Sequence, residues 1–212
     1  MEPLPGDRVV VRYRLGAGGP DDWRAASGPN PAFERAPTLS DLTGILASAT
    51  PDGLVIERDG VPEHVPAAAV TSIRQLSARV VRNSEIRAVE RILTDAVAAA
   101  ERAEVDGWTV SADPSSAAVR ANAAVPLEFG ANAAGLDRVR DWYTSRGIAA
   151  RAVVPERLLR TAEASASAGA AYEVLVAPDG TPVEVPGVDR GERLRRRADG
   201  YALHHTFRLI DL

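Results

Sequence analysis

The stretch that decides the fold spans residues 107–129, GWTVSADPSSAAVRANAAVPLEF. Its pattern predicts a β-hairpin, because two runs with strand-forming residues flank a cluster of turn residues. The first strand is predicted at residues 108–111, the turn at 113–116 and the return strand at 119–127. Most of the interpretation of the chain rests on this hairpin and on the segments beside it.

Helical patterns lie on both sides of the hairpin. Residues 83–101 place Ile86, Val89 and Leu93 on one face at spacings of three and four, which predicts a helix packed on a sheet. A second helix is predicted over residues 135–147, followed by an apolar strand over residues 149–154. The order helix, hairpin, helix, strand indicates an α/β domain.

The N-terminal third has the pattern of a small all-β domain. Residues 7–15 alternate valine with arginine, as expected of a half-buried strand. Further strands are predicted at residues 42–49, 54–58, 61–65 and 71–76, separated by turns such as Asp59-Gly60. Short strands with tight turns predict a barrel over residues 1–77, with a linker up to residue 82.

After residue 160 the pattern changes again. Residues 161–171 are small and repetitive, which predicts a flexible connection. A hairpin around Asp179-Gly180, a short arginine-rich helix over residues 189–198 and a final strand over 201–212 follow. We interpret the arginine-rich run as a solvated helix face.

Composition excludes several kinds of chemistry. The chain has no cysteine and no lysine, so disulfides, thiolate nucleophiles, Schiff bases and a Walker lysine are ruled out. A net charge of -4 argues against a general nucleic-acid partner. Neither a signal peptide nor an apolar run of about 20 residues is evident, so we expect a cytoplasmic protein with no membrane partner.

Several motifs together resemble a known enzyme family. The stretches IRAVERILTDA, GW, RANAAVPL and VRDWYTSRGIAARAVVPE, after an SH3-like N-terminal domain, are similar to actinobacterial GNAT-superfamily N-acetyltransferases. The resemblance is to the branch labelled N-acetylglutamate synthase. The tail GYALHHTFR resembles the closing strand of that family.

The resemblance implies a mixed α+β fold, with an SH3-like barrel at residues 1–77 and an incomplete GNAT-like α/β domain at residues 83–212. It implies transfer of an acetyl group from acetyl-CoA to the amine of a small molecule such as glutamate. The Arg-x-Asn pattern of the family is filled by Arg120 and Asn122. With Trp108, these residues would shape the acceptor side, and Arg120 could bind a substrate carboxylate.

The cofactor side departs from the family pattern. GNAT enzymes hold the pyrophosphate of coenzyme A on backbone N–H groups, using an Arg/Gln-x-x-Gly-x-Gly/Ala loop before a helix. The literal match begins at Arg197 and contains Gly200, but a strand rather than a helix is predicted after it. The position of the proton-donating tyrosine is filled by Arg196, so no catalytic residue is assigned. The chain therefore resembles an acetyltransferase that lacks its acetyl-CoA-binding middle.

Other interpretations stay open at this point. The protein could be a non-catalytic remnant or an interaction module that uses its SH3-like domain, and a homo-oligomer is equally compatible with the sequence. Trp108 could serve packing alone, and Arg120 could be a solvated strand residue. His204 and His205 are adjacent, so on a regular strand they would point to opposite faces, and no metal site is expected.

Overall fold

A computed structural model describes residues 2–21, 38–159 and 169–212. The chain divides into two compact units, Met1–Ala78 and Arg79–Leu212, which are described in turn. A flexible connection is predicted at residues 161–171, of which residues 161–168 lie outside the described residues. The last two residues of that range belong to a strand that begins at Ala170. Within the described residues, no helix is long and apolar enough to cross a membrane.

The N-terminal unit is an antiparallel sheet of five strands in the order β4-β3-β2-β1-β5. The strands are β1 (Arg8–Arg14), β2 (Leu39–Thr50), β3 (Gly53–Arg58), β4 (Val61–Pro66) and β5 (Val70–Gln75). In the described residues β4 and β5 are the two edges of an open sheet. The predicted closed barrel is therefore not confirmed.

The core of this unit follows from the alternation along β1. Val9, Val11 and Tyr13 are buried and pack with apolar residues of the neighbouring strands. Close packing also explains Gly44 on β2, since a Cβ there would lie 2.4 Å from the backbone oxygen of Glu57. The arginines of β1 occupy the intervening positions and thus the other face of the sheet.

The C-terminal unit is built on a sheet of seven strands in the order β11-β10-β12-β9-β8-β7-β6. Its strands are β6 (Glu101–Val105), β7 (Trp108–Ala112), β8 (Ala124–Val125), β9 (Arg151–Pro155), β10 (Ala170–Val176), β11 (Pro182–Pro186) and β12 (Ala202–Asp211). Neighbouring strands are antiparallel except β8 and β9, which pair in parallel through Ala124 and Ala152.

Three α-helices and two 3₁₀ turns accompany this sheet within the described residues. They are α1 (Asn83–Asp95), η1 (Val119–Asn122), η2 (Ala133–Gly135), α2 (Leu136–Thr144) and α3 (Arg190–Ala198). Ala152 and Val154 of β9 pack in the cluster that contains α2, whereas Val153 packs in the cluster that contains Leu93 of α1. Alternate residues of one strand face opposite sides, so α1 and α2 cover opposite faces of the sheet.

The helix predicted over residues 83–101 is too long. Helix α1 ends at Asp95, and Glu101 begins β6, which pairs with β7 through a two-residue turn at Asp106-Gly107. These turn residues have φ angles of 49° and 80°, the left-handed conformation that a tight hairpin needs. Small apolar residues after Asp95 continue the helical spacing, but the pairing of β6 with β7 makes Glu101–Val105 a strand.

The return strand predicted over residues 119–127 is also wrong in most of its length. The chain forms η1 first and pairs as a strand only over Ala124–Val125. Proline has no N–H to donate, so Pro126 ends the ladder. Arg120 and Asn122 therefore lie in a 3₁₀ turn, where residues two apart do not share a face as they would on a strand.

The turn at Gly107 yields a stability prediction. A Cβ at this position would lie 2.8 Å from the backbone nitrogen of Ala131, so Gly107→Ala adds a clash to the strain of a positive φ. We expect a loss of about 2–4 kcal/mol in the free energy of unfolding, measured in urea. Gly147→Ala is the control, because it has a φ of 66° with no atom within 4 Å, and it should cost only about 1 kcal/mol. Equal losses would show that the close approach at Ala131 contributes nothing.

Candidate functional site

Trp108 is a core residue in this structure. Its side chain is fully buried and packs with Val110 and with Leu136 and Val139 of α2. The indole Nε1–H donates a hydrogen bond to the backbone oxygen of Asn132 at 3.1 Å. Both the apolar body and the polar tip of this residue are thus used by the fold, as packing alone would require.

Arg120 is at the centre of a buried polar cluster. The guanidinium is only 1% exposed, and it faces Glu90 of α1, which is 0% exposed. Arg120 Nη1 lies 2.9 Å from Glu90 Oε2 and Nη2 lies 3.1 Å from Oε1, a two-pronged ion pair. The planar guanidinium of arginine matches the geometry of a carboxylate in this way. The sequence predicted that Arg120 could bind a substrate carboxylate, but in the structure it binds the carboxylate of Glu90.

Further contacts use the rest of the guanidinium. Its Nε–H donates to Glu184 Oε2 of β11 at 2.7 Å, and Nη1 lies 3.3 Å from the hydroxyl of Thr94. The plane also lies over the ring of Phe207, 5.2 Å from its centroid. Glu184 is 28% exposed, so it is the point at which this cluster reaches the surface. Through these contacts Arg120 joins α1, η1, β11 and β12.

Asn122 has a different role from its neighbour. Its Oδ1 accepts a hydrogen bond from the backbone N–H of Asp113 at 2.9 Å. Its Nδ2 donates to the backbone oxygens of Asp113 and Ser116 at 2.8 and 3.1 Å. Asn122 therefore fixes the loop between β7 and η1. The structure engages Trp108, Arg120 and Asn122 in three separate sets of internal contacts.

The two histidines are part of the buried cluster, contrary to the expectation that they point to opposite faces. Val174 of β10 pairs with His205 and Leu175 pairs with Leu203, so His204 is the extra residue of a β-bulge. The bulge brings the two Nδ1 atoms to 2.8 Å, and His205 Nε2 lies 2.9 Å from Glu90 Oε1. The sequence has no signal for this bulge, because it depends on pairing with β10.

Proton positions follow from the chemistry of the partners. A carboxylate only accepts, so His205 donates its Nε2–H to Glu90. Between the two Nδ1 atoms one nitrogen must carry a proton and the other must accept it. The pair of imidazoles therefore holds one shared proton at this contact, and the chain of hydrogen bonds runs from His204 through His205 to Glu90.

Burial and charge act in opposite directions on Glu90. Burial raises the pKa of this carboxyl, but the charge of Arg120 and hydrogen bonds from His205 and Arg120 outweigh it and lower the pKa to about 2. The pKa of His204 is lowered to about 4, first by burial and then by the charges of His205 and Arg79. The cluster is thus arranged to keep Glu90 ionised and His204 neutral near pH 7.

A second buried ion pair lies between β10 and α3. Arg193, which is 2% exposed, places Nη2 2.7 Å from Oε1 of the fully buried Glu173. Arg197 contacts the other oxygen of Glu173 at 3.2 Å. The run of arginines on α3 is therefore only partly the solvated face that we predicted: Arg195 is exposed, whereas Arg193 is buried against the sheet.

Comparison with known proteins places this unit in a family. The model of the family described as probable histone acetyltransferase Rv0428c C-terminal matches residues 83–204, more than half of the 212-residue chain. The chain belongs to this family. The probable histone acetyltransferase Rv0428c of Mycobacterium tuberculosis (strain ATCC 25618 / H37Rv) is 32% identical to it over 157 residues.

The Rv0428c family match has a limited reach. The aligned residues are 74% of this chain but 46% of the relative, so the chain spans about half the length of the curated protein that it matches. No solved structure matches the chain. The matched range contains Glu90, Arg120 and His204, so nearly all of the buried cluster lies within the part that the family shares.

A coenzyme A pyrophosphate does not fit the described helix N-termini. At α1 the Glu85 carboxylate accepts the N–H of Arg82 at 2.7 Å, and at α3 Asp189 accepts the N–H of Glu192 at 2.8 Å. Helix α2 carries Asp137 in its first turn. Each of these carboxylates either occupies the position that a phosphate would take or repels a phosphate by its negative charge.

The sequence candidates for phosphate binding lie at the wrong end of a helix. Arg197 is in the last turn of α3, and Gly200, with a φ of 86°, follows that helix and leads into β12. The C-terminus of a helix presents carbonyl oxygens, which repel an anion. The part of the chain that the structure describes therefore offers no phosphate cradle at a helix N-terminus.

Removal of Arg120 tests the central ion pair. Arg120→Met leaves the Glu90 carboxylate buried without its main countercharge, so we expect a loss of about 3–5 kcal/mol in unfolding free energy. Arg91→Met is the matched control, since Arg91 follows Glu90 on α1 and pairs with Glu128, but both side chains of that pair are about half exposed. The control should cost less than about 1 kcal/mol in the same urea experiment. Similar costs for both variants would contradict a central role for Arg120.

The lowered pKa of His204 predicts a pH dependence. In the unfolded chain His204 binds a proton near pH 6.5, whereas in the folded protein it does so only near pH 4. Between these values the unfolded state binds more protons, so stability should fall as the pH falls from 6.5 towards 4. Urea midpoints across this range should decline less steeply for His204→Asn, which keeps a polar atom near Nδ1. Parallel declines in the two proteins would contradict the assignment.

Proposed function

We propose that the protein is an N-acetyltransferase that transfers an acetyl group from acetyl-CoA to a primary amine. The observation that carries this proposal is the family match over residues 83–204, which takes in α1, the β6–β7 hairpin, η1, α2 and β9. The overall reaction joins the acetyl carbon to the amine nitrogen and releases coenzyme A. We also propose that the protein is a member of the GNAT superfamily and of its N-acetylglutamate-synthase-like branch.

The acceptor is proposed to be a small-molecule amine such as glutamate. The resemblance of the RANAAVPL stretch supports this choice, whereas the name of the 32% identical relative indicates a histone as the acceptor of that protein. Both acceptors offer a primary amine that must be neutral to react, so the two differ in recognition rather than in reaction type. We also propose that the protein acts in the cytoplasm.

One observation favours a second candidate, a non-catalytic member of the family. Trp108, Arg120 and Asn122, the proposed acceptor residues, are all engaged in internal contacts, and the described helix N-termini carry carboxylates. In this candidate the N-terminal unit, with its five antiparallel strands, is an SH3-like module that binds a partner. The C-terminal unit then keeps the family fold as a scaffold.

Titration with acetyl-CoA in a calorimeter at physiological salt separates the two candidates. For an acetyltransferase we expect micromolar binding, and product formation with glutamate or with a lysine peptide from a histone tail, detected by mass spectrometry. S-acetylpantetheine is the control ligand, because it has the thioester but no pyrophosphate. The absence of binding at millimolar acetyl-CoA would overturn the first candidate.

Two variants extend this experiment to the phosphate candidate. Arg197→Ala should weaken acetyl-CoA binding, but not binding of S-acetylpantetheine, if Arg197 contacts phosphate. Arg195→Ala is the matched control on the same helix, since Arg195 is 68% exposed and pairs with Glu192. Equal affinities of both variants for acetyl-CoA would remove Arg197 from the site.

A further inference from the structure

One face of the N-terminal sheet concentrates positive charge. Along β1, Arg8, Arg12 and Arg14 alternate with the buried core residues, so they share the outer face of the sheet. Arg74 of β5 lies directly opposite Val10, which places it on the same face. We name this set of four arginines, with Val10 among them, the arginine face.

Three of these arginines have no charged partner among the residues that the structure describes. Arg12 is held by Asp41 of β2, with Nε–Oδ1 and Nη2–Oδ2 distances of 2.8 and 2.9 Å. Within the described residues, Arg8, Arg14 and Arg74 make no ion pair and no side-chain hydrogen bond. Several exposed arginines elsewhere in the described residues have partners, as when Arg138 pairs with Asp106 at 3.0 Å. Unpaired guanidinium groups gathered on one face are the groups that an acidic ligand would contact.

Apolar surface lies between the charges. Leu39 and Ile45 of β2 pair with Arg14 and Arg8 and are 40% and 41% exposed. A depression of about 280 Å³ is lined by Val10, Arg12, Asp41, Ser72 and Arg74. A mixture of cations and exposed apolar side chains around a shallow depression suits a peptide with both acidic and apolar residues.

The spacing along β1 matches an extended peptide. Alternate residues of a strand are about 6.6–6.8 Å apart, and the same distance separates alternate side chains of an extended ligand. Strand β1 pairs on both edges, with β2 and with β5, so its backbone is already used and recognition must come from side chains. On this face of β1, Arg12 is already held by Asp41, whereas Arg8, Val10 and Arg14 remain for a ligand. The strand therefore favours acid, apolar, neutral, acid at every second ligand position.

We propose that the arginine face binds an extended acidic peptide segment of a partner protein, with an apolar side chain in the depression at Val10. This proposal does not depend on acetyl transfer. A nucleic acid fits less well, because residues 1–78 contain seven arginines against ten carboxylates. Glu57 pairs with Ile45, so it adds a second carboxylate to the face that carries Asp41. Positive charge is thus confined to a strip about as wide as one extended chain.

Fluorescence anisotropy of the full chain with a labelled peptide tests the proposal. The probe is Glu-Ser-Leu-Ser-Ser-Ser-Glu carrying fluorescein, and the control probe has glutamine in place of each glutamate. We expect the acidic probe alone to bind at low salt, with an affinity that decreases as salt is added. Arg74→Glu should weaken binding about tenfold, because it removes one attraction and adds one repulsion.

A matched variant makes the result specific. Arg138→Glu changes the net charge equally, but Arg138 lies in the C-terminal unit, and this variant should bind the probe as the unchanged protein does. Arg74 is exposed and unpaired among the described residues, so its variant should keep its folding, checked by circular dichroism. Equal losses in the two variants, no binding below millimolar, or tighter binding of a single-stranded oligonucleotide of equal charge would overturn the proposal.

Discussion

The C-terminal unit depends on one buried carboxylate that accepts hydrogen bonds from two side chains. Glu90 is fully buried, and it accepts from both Nη atoms of Arg120 and from His205 Nε2. A carboxylate without partners would be very costly inside a protein, so these donors must be in place when α1 packs on the sheet. The requirement fixes η1, which carries Arg120, and β12, which carries His205.

Much of the fold could be predicted because local signals agreed with tertiary structure. Asp179-Gly180 between two apolar runs indicated the β10–β11 hairpin, and the face formed by Ile86, Val89 and Leu93 indicated α1. Predictions were wrong where tertiary pairing competed with local pattern. The small residues after Asp95 continued a helical period, yet pairing with β7 makes Glu101–Val105 a strand.

The candidate site was harder to predict than the fold. A single sequence shows that Arg120 and Glu90 are 30 positions apart but not that they meet, since no local pattern links them. An arginine at position 120 on a strand would be able to contact a substrate, whereas in the 3₁₀ turn the side chain of Arg120 is buried in the interior. The histidine pair was missed for a similar reason: a β-bulge, which depends on the neighbouring strand, changes which face a residue occupies.

The position of β12 affects how the chain assembles. This strand, Ala202–Asp211, follows the other described strands in sequence, yet it lies in the middle of the sheet between β9 and β10. During synthesis the hairpins β6–β7 and β10–β11 can form from neighbouring residues, but β9 stays unpaired with the β10–β11 hairpin until β12 is made. The two halves of the sheet therefore join only after β12 has been made, and partly exposed strands must stay soluble until that step.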